Sequence, residues 1–139
     1  VGSEMCIRDR YNYVGQPWRT QELVDEVLHT LYFNDPDGLS GNEDCGQMSA
    51  WFVLNSMGFY QVCPGKPVYS IGRPLFDKAT IHLKGGKTFT IVTHNNSREN
   101  KYVQKMVLNG NELNVPFFAH QDMIDGGTLE LTMGGEPLK

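Results

Sequence analysis

Asn42, Glu43 and Asp44 occupy three consecutive positions in the stretch SGNEDCGQMSAW, between Gly41 and Gly46. An amide and two carboxylates side by side can do three kinds of chemistry. They can cap a helix, because side-chain oxygens accept its first N–H groups and negative charge there is favoured by roughly 0.3–1 kcal/mol. They can ligate a hard cation such as Ca2+, which takes carboxylate, amide and carbonyl oxygens. One carboxylate can also act as a general base, since the positive helix end and its N–H donors favour the ionised form. A cap needs one acceptor. The stretch supplies three, with Asp35 and Asp37 just upstream, and the flanking glycines allow a ligand close to the backbone. The spacing is not that of an EF-hand, which needs alternating acids and a distal glutamate.

The elements that must position this loop are legible. Residues 17–32, PWRTQELVDEVLHTLY, have Pro17 for a first turn and Thr20 for an N-cap. Leu23, Val24, Val27, Leu28 and Leu31 form one apolar helical stripe. Residues 33–44 are rich in Asn, Asp, Gly and Pro, and read as a loop. Residues 47–57 return to a helix apolar on more than one face, with Trp51 in the core and Gly58 as its terminator.

The character changes after Phe59. FYQVCPGKP reads as a linker, and strand patterns follow. Ile81 and Leu83, then Phe89 and Ile91, alternate around Gly85-Gly86 as a hairpin with a two-residue turn. Residues 102–113 read as a second hairpin around Asn109-Gly110. HQDMID is a short helical turn closed by Gly126-Gly127, and TLELTM a last strand with Leu129, Leu131 and Met133 on one face. The expected class is α+β, with 11–62 helical and 66–139 an antiparallel β region with a short helix. Two helices cannot bury their apolar faces alone, so they must pack on the β half or on helices upstream.

Composition narrows the function. The 139 residues carry a net charge of −4, with 40% hydrophobic and 20% charged residues. No basic cluster supplies the positive field that nucleic acid requires, and no apolar run approaches the roughly 18–20 residues that span a bilayer. Cys6, Cys45 and Cys63 match no zinc or C-x-x-C spacing. A Cys45–Cys63 disulfide and two small, partly buried thiols both remain open. His29, His82, His94 and His120 are scattered and form no H-x-x-x-H pair. His29 is expected on a helix surface, His82 on the outward face of a hairpin and His120 near a helix start. Asn95-Asn96-Ser97 fits a glycosylation sequon that a bacterial protein would leave idle. VGSEMCIRDR has no apolar core for a signal peptide and no helix or strand period. It looks like translated adapter, so residues 1–10 are set aside as foreign or disordered. The protein is then expected to begin upstream of Tyr11.

PDGLSGNEDCGQMSAWFVLNSMGFYQVCPG resembles the signature of glycoside hydrolase family 92, the calcium-dependent bacterial exo-α-mannosidases. The likeness extends to YNYVGQPWRTQ before it, and to YSIGRPLFDKATI and HQDMIDGGTLEL after it, covering nearly all of 11–135. Its core, GNEDCGQMSAW, is eleven residues long.

The resemblance implies the C-terminal helices of an (α/α)6 barrel followed by the β region. It implies inverting removal of terminal α-mannose from N-glycans or mannans. Inversion needs a carboxylic acid for the leaving oxygen and a carboxylate for water, about 6.5–9.5 Å apart. The base falls on Asp44, with Glu43 beside it in the catalytic set. A position often acidic in relatives is Asn42 here, which as an amide can bind water, cation or sugar but cannot be a base. Gln16 and Trp18 fall in the sugar site by resemblance, while a helix start with Trp18 in the core fits them equally. Ca2+ is implied as cofactor, with Asn42 and Asp44 among its candidate ligands. The general acid, a glutamate upstream in the family, has no counterpart here. The isolated chain is therefore expected to be inactive, with the N-terminal part of the same protein as its partner and mannose-containing oligosaccharide as its ligand. Periplasmic or secreted location is the family expectation. The rival reading is a non-catalytic carbohydrate-binding or structural β module with a helical lead-in.

Overall fold

A computed structural model describes residues 9–139. Of the stretch set aside, residues 1–8, with Cys6, lie outside the described residues. Asp9 and Arg10 open a 3-10 helix, Asp9–Val14.

Helix α1 runs Pro17–Thr30 and α2 runs Gln47–Met57. Proline presets the first turn of α1, and Gln16 takes the N-cap position without a side-chain cap. Thr20 is therefore not the cap: it lies inside the helix and is fully buried. Gly58 ends α2 at φ 100°, its N–H returning to the Asn55 carbonyl at 2.9 Å. Val24, Val27 and Leu28 of α1 pack with Met48 and Trp51 of α2 in one apolar cluster.

Eight strands follow: β1 Phe59–Tyr60, β2 Val68–Ile71, β3 Lys78–His82, β4 Thr88–His94, β5 Tyr102–Leu108, β6 Asn111–Glu112, β7 Phe117–Ala119 and β8 Gly127–Gly134. The short helix α3, His120–Ile124, connects β7 to β8. Phe59 and Tyr60 thus belong to a strand rather than a linker, facing Ile71 and Ser70. Strands β1-β2-β7 form one antiparallel sheet and β3-β4-β8-β5-β6 a second. Phe118 of the first stacks on Phe89 of the second at 5.7 Å, within a core that also holds Ile91, Leu129 and Leu131.

The second sheet is mixed, not purely antiparallel. β8 lies between β4 and β5, parallel to β4 and antiparallel to β5. The segment between β4 and β8 carries a hairpin and α3, long enough for the crossover that parallel pairing needs. Alternation in TLELTM specifies which face is buried, and Leu129, Leu131 and Met133 are buried as expected. It does not specify the direction of the neighbour.

Both hairpins form. The first closes over Lys84–Gly86 with Leu83 N–H bonded to the Lys87 carbonyl, so its turn has three residues rather than two. The second turns on Asn109 and Gly110 at φ 50° and 82°, the two positive values a tight primed turn requires.

The helical part packs on the β part. Gln21 Oε1 accepts from Val103 N–H at 3.1 Å, and Asn12 donates to the Ile71 carbonyl at 2.8 Å.

Candidate active site

The acidic loop leaves α1 at Leu31, is pinned by a bridge between Tyr32 and Leu39, and delivers the chain to the first turn of α2. Its last residues adopt a backbone that L-residues rarely take. Asp44 and Cys45 sit at φ 49° and 59°, followed by Gly46 at 88°. A left-handed conformation costs a non-glycine residue roughly 1–2 kcal/mol. Such outliers persist where surrounding bonds over-determine them, and they cluster at functional sites.

The three acidic-loop side chains are not equivalent. Asn42 and Asp44 are exposed, and neither side chain makes a hydrogen bond among the described residues. Glu43 is half-buried, and its Oε1 accepts from Ser49 N–H at 3.1 Å. Its Oε2 is buried with no hydrogen-bond partner among the described residues. The N-cap position itself is Gly46, which has no side chain to offer. Side-chain capping at α2 is thus the work of Glu43, reaching forward from outside the helix, and the Asp44 carboxylate is left unengaged.

Tyr32 joins this arrangement, although in the sequence it reads only as the end of a helical stripe. Its hydroxyl donates to the Met48 carbonyl at 2.9 Å, and its ring lies 4.7 Å from Phe52 and stacks on Trp51 at 5.9 Å. Burial pushes its pKa up to about 12, helped by the charge of Glu43 and by Tyr60. The hydroxyl therefore keeps its proton and remains a donor. An aromatic with a polar tip next to the acidic loop was the available signal.

A pocket of about 460 Å³ opens beside the loop, lined by Tyr32, Phe33, Asn34, Asp35, Ser49 and Phe52 among others. None of Asn42, Glu43 and Asp44 lines it. Gln16 and Trp18 are not brought to the loop. They flank the start of α1, and the loop follows its other end, 14 residues or about 21 Å away along the helix. Trp18 is half-buried and Gln16 exposed.

The donors for a cation are incomplete. No group of three or more His, Cys, Asp or Glu among the described residues could hold a metal ion. Calcium takes six to eight oxygens, and Asn42 and Asp44 offer a few at most. These residues alone do not make the site.

Cys45 and Cys63 are both free and exposed, so neither the disulfide nor the partly buried thiols describes them. His29 is half-buried on α1, with its Nδ1 2.7 Å from the Asp25 carbonyl oxygen one turn earlier. His82 is exposed on β3 and His120 opens α3, as expected.

A family profile described as the glycosyl hydrolase family 92 catalytic domain matches residues 7–135. The chain belongs to glycosyl hydrolase family 92. The family 92 match begins inside the N-terminal stretch that composition set aside. The chain is 35% identical, over 129 residues, to an uncharacterized secreted glycosidase of the fungus Arthroderma benhamiae, covering 91% of this chain and 17% of that protein. Its fold superposes with a TM-score of 0.91 on a family 92 α-mannosidase of Bacteroides thetaiotaomicron solved with mannoimidazole, at 36% identity, covering 96% of this chain and 18% of that one. An inverting family 92 mannosidase of Bacteroides thetaiotaomicron VPI-5482 gives 0.88 at 43% identity, with 95% and 18% covered. The chain thus spans less than a fifth of the length of these relatives. No helix among the described residues is long and apolar enough to cross a membrane.

Proposed function

We propose that this chain is the part of an inverting exo-α-mannosidase that carries the general base, Asp44. The observation that supports it most is the state of that residue. Asp44 is exposed, its carboxylate is hydrogen-bonded to nothing among the described residues, and it is held on a left-handed backbone beside a helix start. A carboxylate in that condition is available to a water molecule.

In the proposed reaction, Asp44 takes a proton from water as it attacks the anomeric carbon of a terminal α-mannoside. A carboxylic acid from outside this chain protonates the leaving oxygen on the opposite face, about 6.5–9.5 Å from the base. Asn42, exposed two residues earlier, contacts water, sugar hydroxyl or cation. The substrates are terminal mannosides of N-glycans or mannans. The mannoimidazole bound by one relative and the inverting action in another's name support mannose as the recognised sugar. Helices α1 and α2 are assigned to the (α/α)6 barrel of the complete domain. Calcium is assigned to the complete protein, where upstream residues add the oxygens lacking here, and it would bind sugar hydroxyls. Secretion is the proposed fate, in keeping with the name of the fungal relative.

The test is Asp44→Asn in the full-length protein that contains this chain, with an α-mannoside as substrate. Loss of a general base lowers kcat by about 10²–10⁴-fold, and circular dichroism should be unchanged. Turnover within tenfold of the parent would remove Asp44 from the chemistry and favour a carbohydrate-binding module. The 139-residue chain alone should release no mannose.

A further inference from the structure

The two neighbouring carboxylates divide the work, and the geometry assigns the second a role of its own. We propose that Glu43 is a positioning residue, locking the first turn of α2 so that Asp44 is presented in its left-handed conformation, with Tyr32 as the second pin of the same turn. This rests on Asp44 being the base.

Three contacts carry the assignment. Glu43 Oε1 accepts from Ser49 N–H at 3.1 Å, and the Glu43 carbonyl accepts from Met48 N–H at 3.3 Å. The carbonyl of the same Met48 accepts the Tyr32 hydroxyl at 2.9 Å. One residue therefore grips α2 through both main chain and side chain, spanning residues 44–47 between its bonds. Three of the four residues so spanned, Asp44, Cys45 and Gly46, are at positive φ. The Asp44 carbonyl is engaged too, by Gln47 N–H at 3.3 Å, while its carboxylate stays out of the clamp. Consecutive left-handed residues relax unless held from both sides.

Glu43 is poorly placed for chemistry on a sugar. One of its oxygens is bonded into the helix and the other is shut from solvent. A role in shape predicts that an isosteric amide, which still offers an oxygen to Ser49 N–H, will serve nearly as well. A role in charge predicts that it will not.

The experiment uses the full-length protein and four variants: Glu43→Gln, Glu43→Ala, Tyr32→Phe and Asp44→Asn. Steady-state kinetics on an α-mannoside and amide exchange at Ser49 and Met48 are measured for each. Glu43→Gln should keep kcat within about threefold of the parent. Glu43→Ala should lose more than tenfold in kcat with KM nearly constant, and its Ser49 amide should exchange at least tenfold faster. Tyr32→Phe should fall between them. If Glu43→Gln is as inactive as Asp44→Asn, the charge of Glu43 takes part in the reaction and the positioning role is wrong. If Glu43→Ala exchanges and turns over like the parent, there is no clamp. Full turnover by Asp44→Asn would sink the base assignment instead, while the exchange data would still decide whether the clamp exists.

Discussion

The Asp25 carboxylate lies 2.8 Å from Nε of Arg73, joining the middle of α1 to the chain leaving β2. Both side chains are largely buried, at 12% and 4% exposure. The approach is an ion contact more than an aligned hydrogen bond, since neither atom has hydrogen-bond geometry. The guanidinium is satisfied elsewhere by the carbonyls of Pro74 and Ser97. His29 adds a third group, its Nδ1 3.3 Å from Asp25 Oδ1. This cluster ties the helical part to two loops of the β part.

Arg73→Ala should therefore be among the more damaging substitutions. Removing one partner of a buried pair leaves an uncompensated charge, at a cost of about 3–5 kcal/mol. Replacing both, as in Asp25→Leu with Arg73→Met, should recover part of that loss. Urea unfolding of the three proteins measures it. A loss below about 1 kcal/mol for Arg73→Ala, on that same scale, would mean that the pair holds nothing together.

The Tyr102 hydroxyl donates to Glu22 Oε1 at 2.7 Å, a second tie between α1 and the sheet. The bond to Tyr102, the largest effect, holds Glu22 below its ordinary value of 4.5 against burial, which comes next, with Arg19 adding smaller lowering effects. The bond to Glu22, with burial, pushes Tyr102 up to about 12. The tyrosine contribution is full below the unfolded value of about 10 and is lost as pH rises towards the folded one. The glutamate contribution is present above the ordinary carboxylate value and is lost as pH falls through the lowered one. The stability gap between the parent and Tyr102→Phe should be flat near neutrality, and should narrow in alkali and below the ordinary carboxylate value. Unfolding midpoints across that range report it. A gap constant into strong alkali would contradict the bond.

Gly38 closes the turn that begins the acidic loop. Its N–H donates to the Asp35 carbonyl and its carbonyl accepts from Phe33 N–H, both at 2.9 Å. A Cβ at this position would run into the Phe33 carbonyl oxygen, and backbone does not move aside cheaply. Gly38→Ala should destabilise by about 1–3 kcal/mol, the usual cost of overpacking. Equal urea midpoints for variant and parent would show that the turn has another way to close.

Local features were legible in the residues. The two helices, both hairpins, α3 and the buried face of β8 follow from apolar period, Pro17, Gly58 and Asn109-Gly110, because each depends on neighbours a few residues away. The strand at Phe59–Tyr60 escaped notice because two residues make no pattern; their partners, Ile71 and Ser70, are what make them a strand. Thr20 misled because capping chemistry favours its type, whereas Pro17 had already started the helix.

The acidic loop was visible as a cluster of acceptors, and its family likeness marked it as a site. Residue types alone suggested Asn42, Glu43 and Asp44 as one set of oxygens. Their separation came from the fold, since which carboxylate caps α2 depends on three left-handed residues and on where the Ser49 amide points. Tyr32 could join only once α1 and α2 were packed.

Thus composition, period and turn chemistry were enough for the local elements and for placing the acids before α2. Folding in three dimensions settled the parallel entry of β8 beside β4, the Asp25–Arg73 tie and the contrast between a bonded Glu43 and a free Asp44. Each of these rests on partners distant in sequence or on backbone geometry, and burial and hydrogen bonding select among such arrangements only when the whole chain has packed.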